Sequence, residues 1–169
     1  MTDIHFIIGS TGAGKTTYAR ALAAEQSALP FSIDEWMQGL FAPDLKGASF
    51  AAMNERVERA RRQMWDVAGR VQTLGVPSVF DTGLLTRASR DQARAEAARR
   101  GLSTRFHYIA APAETRWARV AARNAARDSG FAFEVTRPMF DFIETIWQTP
   151  DAEERAARGF TLVGSESAA

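Results

Sequence analysis

A short apolar run, Asp3-Ile-His-Phe-Ile-Ile8, leads into eight residues, Gly9, Ser10, Thr11, Gly12, Ala13, Gly14, Lys15 and Thr16, the last two of which, with Thr17 next, open an Ala-rich stretch that runs to Gln26. They match GxxxxGK followed by Ser or Thr at every defined position, and the flanking patterns predict a strand before the loop and a helix after it. Glycines there let successive backbone N–H groups curl around phosphate oxygens, and the helix adds the positive end of its dipole. Lys15 would reach the β- and γ-phosphates of a nucleotide, and the Thr16 hydroxyl would take a magnesium ion. The competing reading is a glycine-rich turn that matches by chance. Lys15 and Lys46 are the only lysines in a sequence that otherwise uses Arg, which gives Lys15 a chemical reason to be kept.

The chain has 169 residues, enough for one domain with a sizeable core. Without Cys, disulfides, thiol catalysis and Cys-ligated zinc are excluded. No apolar run approaches the ~20 residues of a membrane span. The N-terminus lacks the basic n-region and the cleavage pattern of a signal peptide, so a cytoplasmic protein is expected. A net charge of +1 gives no overall field to draw in polyanions. Arg outnumbers the acids over residues 51–137, whereas acids outnumber Arg over 138–169.

Further strands are predicted at 30–33, 76–80, 104–110 and 160–163, and helices at 15–26, 50–74, 87–100, 112–127 and 138–148. Strands alternating with helices imply a parallel sheet covered on both faces. Residues 1–164 form a single domain in this reading, and 165–169 a disordered tail.

The positions that follow the strands carry the chemistry, because ligands of open parallel sheets collect beyond the strands' carboxyl ends. Asp34 follows the second strand and has two readings: general base for an attacking hydroxyl, or N-cap for a helix over 35–40. Asp81, after the third strand, would hold magnesium or orient substrate, or merely serve the turn of Asp81-Thr82-Gly83. Arg116, Arg119, Arg123 and Arg127 share one helix side with only Glu114 and Asp128 as nearby acids. They form either a lid that closes on the transferring phosphate or a solvated face. Arg87, Arg90 and Arg94 read as solvated surface. Trp65, Trp117 and Trp147 sit at core-packing positions, and His5 and His107 at buried strand positions.

With the phosphate loop, Asp34, Asp81-Thr82-Gly83 and Arg119-Val-Ala-Ala-Arg123-Asn124 in this order, the chain resembles the small P-loop kinases of the AAA_33 type. That group includes the kinase domain of phage polynucleotide kinase, with chloramphenicol phosphotransferase and zeta toxin as more distant relatives. The resemblance runs from Ile4 to about Glu154. It implies a three-layer α/β/α sandwich around a five-stranded parallel sheet of order 2-3-1-4-5, with a helical lid at about 116–137. It also implies transfer of the ATP γ-phosphate to a hydroxyl with Mg2+. On that resemblance Lys15 and Thr16 hold phosphates and metal, Asp34 is the base, Asp81 supports acceptor or metal, Arg123 contacts the transferring phosphate, and Arg119 stacks on adenine. Polynucleotide kinases carry an arginine three residues after the base, where this chain has Met37 among Trp36, Leu40 and Phe41. An acceptor side made by Asp34, Met37 and Asp81 therefore favours a small hydroxyl compound over a nucleic-acid 5′ end, with no membrane partner. An ATP-dependent switch or slow ATPase is the alternative from another class. It would need a residue to orient water, and no acid adjoins Asp81.

Overall fold

The computed structural model describes residues 3–45, 47–126 and 134–165. Five strands form one all-parallel sheet: β1 (Asp3–Ile8), β2 (Leu29–Ser32), β3 (Ser78–Asp81), β4 (Ser103–Ala110) and β5 (Thr161–Gly164). Their order is β2-β3-β1-β4-β5, as the resemblance implies. Seven helices are described: α1 (Lys15–Glu25), α2 (Ile33–Leu45), α3 (Phe50–Gln72), α4 (Arg87–Arg99), α5 (Ala113–Ala126), α6 (Arg137–Ile146) and α7 (Ala152–Arg158).

The two-residue period of a strand sends alternate side chains of β1 to opposite layers. Ile4, Phe6 and Ile8 face the side covered by α3 and α4, where Phe31, Met64, Phe80, Ala97 and Phe106 complete the larger core. Ile7 faces α1 and packs with Ala19, Leu22, Val79 and Ile109. Phe6 lies opposite both Phe80 and Phe106 in the register, so three rings meet across the sheet at centroid distances of 5.6 and 5.1 Å. Each contributes roughly 1.5–3 kcal/mol by leaving water. Trp65 on α3 closes over Phe80 at 5.1 Å. Trp117 packs edge-on to Phe140, and Trp147 packs on Tyr108, in keeping with their expected core positions.

His5 and His107 are buried on the α1 side, each 7% exposed. His5 Nδ1 and His107 Nε2 are 2.9 Å apart, and the Tyr18 hydroxyl lies 3.0 Å from His107 Nδ1. Burial, and then the neighbouring His5, lower the His107 pKa to about 4, so this chain of rings is neutral at physiological pH.

The structure departs from the expected elements in three places. Residues 33–45 form a full helix, although Pro43 lies inside it. Its first turn is served by the Ser32 hydroxyl, which accepts from the Glu35 N–H at 3.3 Å, so Asp34 lies one position inside the helix rather than at its cap. The seven-residue α7 was absent from the expected elements because it has too few apolar residues to display a period; Asp151 caps it, and Gly159 at φ +60° ends it.

The third departure concerns Arg90, expected on solvated surface but 0% exposed. Its Nε and Nη2 donate to the two carboxylate oxygens of Glu154 on α7, at 2.7 and 2.9 Å. Arg158 adds a third bond to Glu154 at 2.6 Å. Arg90 is the interior bolt between α4 and α7.

Candidate active site

Parallel pairing aligns the C-terminal ends of the strands, and this brings the site together. Ser32 lies opposite Asp81, so Asp34, two residues beyond Ser32, emerges beside Asp81. β1 lies next to β3 and runs directly into the phosphate loop.

The loop's shape depends on its glycines. Gly12 has φ +78°, and a Cβ there would stand 2.4 Å from the Arg116 carbonyl oxygen. Gly14, at φ +99°, sets the left-handed entry into α1. A Gly12→Ala variant pays about 1–2 kcal/mol for the left-handed backbone alone. The collision with Arg116 adds to that. Its melting temperature is expected to fall by several degrees in a thermal melt, since ~1 kcal/mol corresponds to roughly 2–4 °C in a chain of this size.

Lys15 is half-buried, and its ammonium donates to the Ser10 carbonyl at 3.1 Å. Burial lowers its pKa; the carboxylates of Asp81 and Asp34 oppose that shift, while Arg116 and Arg123 add to it. Thr16 on the first turn of α1 donates its hydroxyl proton to Asp81 at 2.6 Å. A hydroxyl and a carboxylate held together are hard oxygen donors of the kind magnesium takes when substrate phosphates and water supply the other positions. No cluster of three or more His, Cys, Asp or Glu able to hold a metal is found among the described residues.

Asp34 is open to solvent on one side, yet the surrounding protein desolvates it enough to raise its carboxyl pKa. Negative Asp81 raises it further, and Lys15 and Arg123 pull it back. The site therefore gathers two acids and two cations whose fields act on one another. Arg123 is half-buried, and its Nε is buried with no hydrogen-bond partner among the described residues. Such an orphaned donor costs free energy unless something accepts from it. Met37 is buried in α2, 7% exposed.

The arginine stripe of α5 divides by task. Arg116 is buried at 7% exposure and turns back to the loop, donating to the Thr11 carbonyl at 3.2 Å and the Ala111 carbonyl at 2.9 Å. Its guanidinium is paired with both carboxylate oxygens of Glu144 on α6, at 2.8 and 2.6 Å. Arg119 donates to the Ala13 carbonyl at 3.1 Å. Arg127, Asp128 and the rest of 127–133 lie outside the described residues, as do 166–169.

Glu144 also accepts from the Ser10 hydroxyl. Sequence reasoning missed this residue. Its one signal was indirect: the α5 arginines lacked enough nearby acids, so a carboxylate from elsewhere in the chain was owed to them.

A parallel sheet of this order, with a glycine loop wrapping from its central strand into a helix, defines the P-loop class with a three-layer α/β/α architecture. The family model AAA_33, an AAA domain, matches residues 4–141, and the chain belongs to that family. No curated protein matches it. Among solved structures it is similar to Kti12 of Chaetomium thermophilum in complex with ADP-AlF3, at 18% identity and TM-score 0.71, over 95% of this chain and 88% of that one. It is similar also to the APS kinase of Mycobacterium tuberculosis in complex with AMPPNP and APS, at 20% identity and TM-score 0.66, over 98% and 90%. A gluconokinase of Sinorhizobium meliloti follows at 18% identity and TM-score 0.59, over 95% and 81%.

Proposed function

We propose that the chain is a magnesium-dependent kinase that transfers the γ-phosphate of ATP to a hydroxyl of a small molecule. The observation that carries this reading is Asp34: a carboxylate with a raised pKa at the end of β2, in the electrostatic field of Lys15, Asp81 and Arg123. An ATP-binding switch needs no such base.

In this mechanism the loop amides and Lys15 hold the β- and γ-phosphates, and Arg119 lies beside adenine. Asp34 takes the proton of the acceptor hydroxyl as its oxygen bonds to the γ-phosphorus. The bond from that phosphorus to the bridging oxygen breaks, and its electron pair leaves with ADP. A raised pKa makes Asp34 a better base than an ordinary carboxylate. Arg123 turns its orphaned Nε–H toward the transferring phosphate. Thr16 and Asp81 would hold magnesium, which neutralises charge between the β- and γ-phosphates when bound.

Asp34, Met37 and Asp81 form the acceptor side, and apolar Met37 favours a small hydroxyl compound over a nucleic-acid 5′ end. The likeness to a gluconokinase and an APS kinase supports the same preference.

The test is transfer from γ-labelled ATP with magnesium to nucleosides, aminoglycosides, phenicols, sugars and 5′-hydroxyl oligonucleotides. A labelled small molecule is the expected result. Labelled oligonucleotide alone would change the acceptor class, and hydrolysis without transfer to any acceptor would replace the kinase by an ATP-dependent switch. Arg123→Ala is expected to lower single-turnover transfer about 10³-fold with ATP affinity within a few-fold of the parent. A loss of affinity alone would make Arg123 a ground-state clamp.

A further inference from the structure

We infer that Glu144 is a positioning residue that sets the direction of the loop's amide donors through Arg116 and Ser10. The inference rests on the nucleotide-binding part of the proposed function.

The argument begins with the peptide unit. Because a trans peptide is planar, the C=O of one residue and the N–H of the next point in opposite directions. Arg116 holds the Thr11 carbonyl at 3.2 Å from outside the loop, which turns the Gly12 N–H the other way. Arg119 does the same to the Ala13 carbonyl at 3.1 Å, which turns the Gly14 N–H. Two donors of the phosphate cradle are thus aimed by guanidiniums behind it.

Arg116 is able to do this only if it is itself held. A guanidinium has many rotamers, and this one is pinned by the bidentate pair with Glu144. The same carboxylate accepts the Ser10 hydroxyl, which ties it to the loop a second time. Hydrogen bonding from Arg116 keeps the Glu144 carboxyl well below the usual range, against the opposing effect of burial, so it is ionised throughout neutral pH.

α6 is in turn fixed to α5. Asn124 donates to the Val135 carbonyl at 2.8 Å and accepts from the Val135 N–H at 3.2 Å. Trp117 and Phe140 pack edge-on at 5.4 Å. A cavity of about 250 Å³ is bordered by Ser10, Arg116, Glu144 and Trp147.

The experiment displaces a fluorescent ATP analogue with ATP, tripolyphosphate or adenosine, using the parent chain, Glu144→Ala, Glu144→Gln, Arg116→Ala and the Glu144→Ala/Arg116→Ala double variant. Glu144→Ala is expected to weaken ATP and tripolyphosphate by the same factor, about tenfold, the weight of one hydrogen bond to a charged group. Adenosine affinity stays at the parent value, Glu144→Gln recovers part of the loss, and the double variant binds no more weakly than Arg116→Ala, because the two residues act in series. Glu144→Gln is nearly isosteric and keeps the test open if the alanine variant does not fold. Tripolyphosphate binding at the parent level in a folded Glu144 variant would overturn the inference, as would an equal loss of adenosine. A parent chain that binds no ATP overturns the proposed function instead.

Discussion

An Asp34→Asn variant is expected to bind ATP as the parent chain does and to transfer its γ-phosphate about 10³-fold more slowly. The amide keeps the shape of the side chain and its place in the first turn of α2, but it cannot take a proton. Single-turnover transfer to the acceptor found in the screen, beside an ATP titration of both proteins, is the measurement. Normal transfer by the variant would remove Asp34 from the reaction. The raised pKa adds two consequences of known sign. As a base, Asp34 works only when deprotonated, so kcat/KM of the parent falls on the acid side around a pKa above that of an ordinary aspartate. For stability the sign is reversed. A group whose folded pKa lies above its unfolded one contributes stability below the unfolded pKa and loses it as pH rises through the folded value. Above the unfolded aspartate pKa, Asp34 therefore burdens the fold increasingly as pH rises, and Asp34→Asn is expected to melt higher than the parent even as it loses activity.

Arg90→Ala is the second large effect, and it concerns stability. It leaves Glu154, whose side chain is 1% exposed, with Arg158 as its remaining guanidinium. Removing one partner of a buried ion pair costs about 3–5 kcal/mol, and Arg158 holds the result toward the lower figure. Urea unfolding reads the difference directly. Arg90→Met/Glu154→Leu, which removes both charges and keeps the volume, is expected to recover most of the loss. If the double variant were as unstable as the single one, the cost would come from packing rather than from an abandoned charge. Hydrogen bonding from Arg90 holds the Glu154 carboxyl below the usual range, so this pair stabilises the fold above the unfolded glutamate pKa and is lost as pH falls through the lowered value.

The elements that could be read in the sequence are those whose signals are local. A strand that ends in glycine, a lysine kept amid arginines, and apolar residues at helical spacing in α3 all announce themselves within a few residues. The resemblance then ordered the strands, which no periodicity could do. Asp34 and Asp81 were legible as candidates because they stand at strand ends, and Lys15 because it completes the glycine motif; the sheet's register brings the ends of β2 and β3 together. Arg90 and Arg116 were misplaced for one shared reason. An arginine among alanines on a helix looks the same in sequence whether it faces water or a carboxylate brought to it from a distant part of the chain. Glu154 and Glu144 supply those carboxylates from late helices, and only the folded chain pairs them.

The central place of β1 has a consequence for how the protein is made. β1 leaves the ribosome before either of its sheet neighbours, which come from residues 78–80 on one side and 103–108 on the other. Pairings so distant in sequence are costly in loop entropy and form late. During synthesis the nucleotide loop, although made before both of these neighbours, has no frame until β4 has emerged. Ligand therefore reaches a loop of the right shape only after β4 has been made, and cannot guide the folding of the segments between the loop and β4.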